Sequence, residues 1–84
     1  MDNIILDLTS MGKSFRAERK ALGLTQAEVA KKSGLRRETI IQIESGENVS
    51  AFTLIQATAA LGKCLSITDR RIDYDAIKGM FDDD

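Results

Sequence analysis

The sequence predicts an all-α domain of four to five short helices, followed by one short C-terminal β-strand that pairs across a dimer. Three observations predict it. Apolar residues recur at helical spacing in separate runs, a glycine follows each run, and beyond Gly62 the apolar period shortens to two. The 84 residues leave room for one hydrophobic core and no second one.

Leu8, Met11, Phe15 and Leu22 share one helical stripe, which predicts a first helix from about Ser10 to Leu22. Ser10 is its expected N-cap, and Gly23 stands where a left-handed residue ends a helix. Thr25-Gln26-Ala27-Glu28 is a capping box, so a second helix starts at once and ends near Ser33, before Gly34. A third helix runs from about Arg37 to Ser45 with Ile40 and Ile43 inward, and Gly46 stops it. Ser50 caps a fourth, Ala51 to Leu61, whose core positions are Leu54, Ala57 and Leu61.

Past Gly62 comes Lys63-Cys64-Leu65-Ser66-Ile67-Thr68, with Leu65 and Ile67 on one face and Cys64, Ser66 and Thr68 on the other. One strand cannot stand alone, so it needs a partner from residues 4–8 or from a second chain. A last short helix is expected over 73–81. Asp82, Asp83 and Asp84 oppose the negative end of its dipole, so it should fray. The chain therefore divides into an N-terminal arm (1–10), a helical domain (11–62) and a dimerisation strand with an acidic tail (63–84).

Composition removes whole classes of chemistry. Histidine is absent, which takes away the commonest general base and the commonest metal ligand. With Cys64 as the single cysteine, no intrachain disulfide and no Cys-rich zinc site can form, and a reducing cytoplasm fits. No nucleophile–base pair or phosphate-binding glycine loop is present, so neither catalytic residues nor a cofactor or metal are expected. The longest apolar run, Ile4-Ile5-Leu6, is far short of the roughly 18 residues that cross a bilayer, and a secretory signal is not expected, since no basic segment is followed by a long apolar one. Cys64 reads as a redox sensor or, more in keeping with a strand, as a small buried apolar side chain. Phe81 either anchors a partner or covers the base of a dimer.

The net charge of −1 hides an asymmetry: residues 1–10 carry −2, residues 11–39 carry +5 and residues 40–84 carry −4. A basic middle inside an acidic whole suggests a polyanion-binding face, although solvated surface charge could also fall this way. Between Thr25 and Gly46 two short helices meet at a tight turn. Ala30 is small where the helices cross, Gly34 supplies a positive φ, and Val29, Leu35, Ile40 and Ile43 fill the wedge. Those are the requirements of a helix-turn-helix.

Over about residues 11–62, including Leu22-Gly23-Leu24-Thr25-Gln26 and Glu44-Ser45-Gly46, the chain resembles the phage-repressor-like (Cro/C1, Xre) helix-turn-helix family. The resemblance implies a lambda-repressor-like fold and double-stranded operator DNA as partner. It puts Gln26 and the start of the second helix on a backbone phosphate. It lays the third helix in the major groove, with Arg36, Arg37, Glu38, Thr39, Ile41 and Gln42 at the base-reading positions. There Arg37 suits guanine, Gln42 adenine and Ile41 a thymine methyl, while Glu38 either accepts from cytosine or pairs with Arg36 or Arg37. Arg19 and Glu44 match the family's buried structural ion pair. Lys13, Arg16, Lys31 and Lys32 are phosphate candidates, or simply solubilising charges. Arg36 departs from the pattern, since a small capping residue usually precedes the recognition helix; a phosphate or base against Arg36 would offset the roughly 1 kcal/mol lost.

The strand Cys64, Leu65, Ser66, Ile67 and Thr68, in place of a fifth helix, is similar to HipB-like antitoxins. In these a strand pairs across the axis of a homodimer that binds operator DNA, holds a HipA-like kinase toxin and represses the shared operon. Two other readings stay open: a free-standing phage-type or controller-type dimeric repressor, and a protein-interaction module without DNA. A kinase-like reading frame next door would favour the antitoxin, and duplex binding indifferent to salt would favour the module.

Overall fold

The computed structural model describes residues 4–70. Four helices follow in order, α1 (Leu8–Ala21), α2 (Gln26–Ser33), α3 (Arg37–Glu44) and α4 (Ala51–Ala60). Among the described residues there is no strand. None of the described helices is long and apolar enough to cross a membrane.

Each start has a local cause. α1 begins earlier than the stripe predicts, because Asp7 and not Ser10 is the cap: the Ser10 amide donates to Asp7 Oδ1 at 2.7 Å. A carboxylate at the positive end of the helix dipole gains more than a hydroxyl does. Only the middle of the predicted stripe is buried, with Met11 and Phe15 in the core while Leu8 and Leu22 stay exposed at the two ends. The capping box of α2 is complete: the Glu28 amide donates to Thr25 Oγ1 at 3.1 Å and the Thr25 amide to Glu28 Oε1 at 2.8 Å. At α4 the Thr53 amide donates to Ser50 Oγ at 3.1 Å.

These caps set an acid dependence. Backbone donation from Ser10 to Asp7 and from Thr25 to Glu28 holds both carboxyls below the ordinary carboxylate range. A carboxyl whose folded pKa is depressed adds stability that is present above its unfolded pKa, about 4, and is lost as pH falls through the folded value. Tm should therefore drop on acidification below about pH 4.5, and the drop should be shallower in Asp7→Asn/Glu28→Gln. Thr25→Ala should lose about 1 kcal/mol at neutral pH. An unchanged acid profile in the double variant would remove the caps as its source.

α3 packs on α1 and on α2, and α2 packs on α4. Val29, Ile40, Ile43 and Ala57 are almost wholly buried where these helices meet. Gly34 turns α2 into α3 at φ +74°, a conformation that any other L-residue enters only with strain. The Gln56 side chain donates to the Ser33 carbonyl at 2.6 Å and so pins α4 to the end of α2. At the other crossing α1 approaches α3 through Gly12, whose Cα faces the Ile43 and Glu44 carbonyls.

Beyond α4, residues 63–70 form neither helix nor strand. The predicted strand over 64–68 is thus not formed within one chain, and residues 4–8 do not supply its partner, since Leu8 already opens α1. An edge with no ladder to join has nothing to hold its backbone groups. Leu65 and Ile67 are exposed, and so is Cys64, against the expectation of a buried thiol. The two segments instead border one groove of about 830 Å³ floored by Met11, Phe15, Leu54 and Leu61. The helix expected over 73–81, with Phe81, lies outside the described residues.

Candidate nucleic-acid interface

α3 divides cleanly into two sides. Ile40 and Ile43 are 0% and 2% exposed and hold the helix to the core. Arg37, Glu38, Ile41 and Gln42 lie at the opposite helical positions and are all exposed, with Arg36 just before them and Thr39 half-buried at the margin. Glu38 forms no ion pair with Arg36 or Arg37 among the described residues, which leaves its carboxylate open to a donor.

The start of α3 is incomplete. Arg36 is the N-cap residue and its side chain makes no cap hydrogen bond, so first-turn amides point outward without a side-chain acceptor. Arg36 and Arg37, both exposed, stand at this positive helix end. An anion placed there would satisfy the amides and both arginines together. Lys31 and Lys32 are exposed in the last turn of α2, where they also complement that helix's dipole. Lys13 and Arg16 are exposed on α1, and the charge of Lys13 helps to hold Asp7 ionised.

Behind this surface lies a network that joins residues the sequence places in separate roles. Arg19 grips Glu44 through both carboxylate oxygens, Nε to Oε2 at 2.6 Å and Nη2 to Oε1 at 3.1 Å. Its Nη1 donates to the Leu24 carbonyl at 2.7 Å. The two side chains are only 9% and 5% exposed. Hydrogen bonding to Glu44 raises the already high Arg19 pKa, so the guanidinium stays charged despite its burial. Gln26, the first residue of α2, is half-buried and its Nε2 donates to Glu44 Oε1 at 3.1 Å. Sequence reasoning separates Gln26 from the ion pair, and the structure brings all three together. It also misses Gly12; a glycine inside a helical run is the signal that would have found it, because such a residue weakens the helix unless packing demands it.

Against this geometry, residues 15–65 match the helix-turn-helix (HTH_3) family model, more than half of the chain. The chain belongs to this family. It is a helix-turn-helix DNA-binding transcriptional regulator of the Cro/C1, Xre type. A curated relative from Methanothermobacter thermautotrophicus, described as an uncharacterized HTH-type transcriptional regulator, is 45% identical over 49 residues, 57% of this chain and 71% of the relative. Among solved structures, a HipB variant in complex with an O2 20mer is similar at TM-score 0.78 and 27% identity, over 83% of this chain and 99% of the other. A HipA-HipB-O2-O3 complex is similar at TM-score 0.76 and 26% identity, over 82% of this chain and 99% of the other. Among the described residues there are four helices, and α3 carries the exposed residues on its outward side that groove insertion requires.

Proposed function

We propose that two copies of this chain bind a twofold-symmetric operator, with the outward side of α3 in the major groove. The observation that carries this reading is the exposure of Arg37, Glu38, Ile41 and Gln42 on a helix whose other side is buried. Arg37 pairs with guanine O6 and N7, Gln42 with adenine N6 and N7, and Glu38 with cytosine N4, while Ile41 meets a thymine methyl. Arg36 at the open first turn of α3 takes a base or a phosphate, and Gln26 at the start of α2 takes a phosphate. Lys13, Arg16, Lys31 and Lys32 add sequence-independent contacts.

Dimerisation falls to residues 63–84, with Cys64 to Thr68 pairing antiparallel against their counterparts. The exposed Leu65 and Ile67, and the groove beside them, leave apolar surface that a second chain would cover. We further propose a HipB-like antitoxin that represses its own operon in the cytoplasm and holds a HipA-like kinase toxin. The likeness to HipB structures, one of them a complex with HipA, supports this over a free-standing repressor.

The test begins with a duplex selected from a random library. Two chains should bind each duplex, and log affinity should fall linearly with log salt. Arg37→Ala should relax base preference at one position per half-site by roughly 1–3 kcal/mol, whereas Gln26→Ala should weaken every duplex alike. Identical behaviour of the two variants would defeat the division into reading and gripping. One chain per duplex would defeat the dimer. The absence of a kinase-like protein that binds the chain would leave the free-standing repressor.

A further inference from the structure

We propose that Glu44 is a positioning residue for DNA binding: its carboxylate, clamped by Arg19, presents the Gln26 carboxamide to the phosphate backbone. The inference rests on the reading of Gln26 as a phosphate contact and adds what makes that contact effective.

Three helices meet in this network. Arg19 comes from α1, Gln26 opens α2 and Glu44 closes α3. The bidentate grip of Arg19 fixes both the place and the plane of the carboxylate, and the bond from Nη1 to the Leu24 carbonyl fixes the guanidinium in turn. Oε1 of Glu44 then accepts from Gln26 Nε2 at 3.1 Å. An ionised carboxylate only accepts, so it dictates which way the carboxamide faces: nitrogen towards Glu44, never oxygen. Nε2 carries two hydrogens. One is engaged by Glu44, and the second is left for an acceptor beyond the protein.

The physical gain is pre-organisation. A glutamine free in water loses side-chain rotamer freedom when it seizes a phosphate, and one already held by a buried ion pair has lost it on folding. The same bond ties the start of α2 to the end of α3, so the gripping and reading elements hold one relative position. Gln26 is neutral and displaces no counterion. Its contribution therefore changes affinity without changing the salt slope, unlike that of Lys31 or Lys32.

A double-mutant cycle on the full chain tests this, with the library-selected duplex and an unrelated duplex as probes. Gln26→Ala should weaken binding to both by roughly tenfold at unchanged salt slope. In the neutral background Arg19→Met/Glu44→Leu, where nothing orients Gln26, the same change should weaken binding roughly 2–10-fold less. Equal effects in the two backgrounds would overturn the inference. So would a larger effect in the neutral background, since Glu44 would then compete with phosphate for the amide. Amide NMR of the native chain needs no variant. One Gln26 Nε2 proton should keep its carboxylate-bonded shift when duplex is added, while the other moves. Release of the first proton would also overturn the inference. If Gln26→Ala leaves native binding unchanged, the phosphate contact itself falls, a result separate from failure of the cycle.

Discussion

Glu44→Ala should lower folding stability by roughly 3–5 kcal/mol, because it leaves the Arg19 guanidinium buried without its counter-charge. For a domain of this size that is a fall in Tm of at least about 12 °C. The size of the effect comes from burial. Both side chains of the pair are under a tenth exposed, and Arg19 Nη1 is also engaged by the Leu24 carbonyl. The Lys63–Glu18 pair provides the contrast at 3.3 Å, with side chains 48% and 34% exposed, where the expected worth is no more than about 1 kcal/mol. Replacing both partners in Arg19→Met/Glu44→Leu should recover most of the loss, since no charge is then stranded. Thermal melts of the native chain and of the two variants at pH 7 decide the matter. A Glu44→Ala loss below about 1 kcal/mol would mean that water reaches the pair and screens it.

Gly12→Ala should also destabilise the protein, by roughly 1–3 kcal/mol, although alanine is the better helix former. On propensity alone the change inside α1 would gain about 1 kcal/mol. The added Cβ, however, would lie 2.5 Å from the Ile43 carbonyl oxygen and 2.7 Å from that of Glu44. Both neighbours are backbone and cannot rotate aside, so α1 must lift away from α3. The displaced end of α3 carries Glu44, so duplex affinity should fall together with Tm. The sign of the change is the test: a more stable Gly12→Ala protein would show that the two helices have room to part.

Most of the helical frame is legible in the sequence because its signals are local. The capping box at Thr25, the cap at Ser50, the turn at Gly34 and the inward pair Ile40 and Ile43 depend on neighbours within a few residues, and each stands where the pattern puts it. Asp7 displaces Ser10 as a cap because competition between adjacent candidates is settled by charge and geometry that a stripe of apolar residues does not report. The strand over 64–68 is a different case, since alternation shows which side is apolar but not what covers it. At the site, the resemblance identifies Arg19 and Glu44 as partners, and they are. That Gln26 joins them requires α2 and α3 to be placed in space, and no spacing in the sequence states it.

The two sides of α3 have a consequence for how such a protein diversifies. Ile40 and Ile43, which keep the helix in place, are buried on one side, and Arg37, Glu38, Ile41 and Gln42 are exposed on the other. Substitutions among the latter should alter stability by no more than about 0.5 kcal/mol. Duplicated copies are therefore free to acquire new target preferences through a handful of changes, with no intermediate that fails to fold.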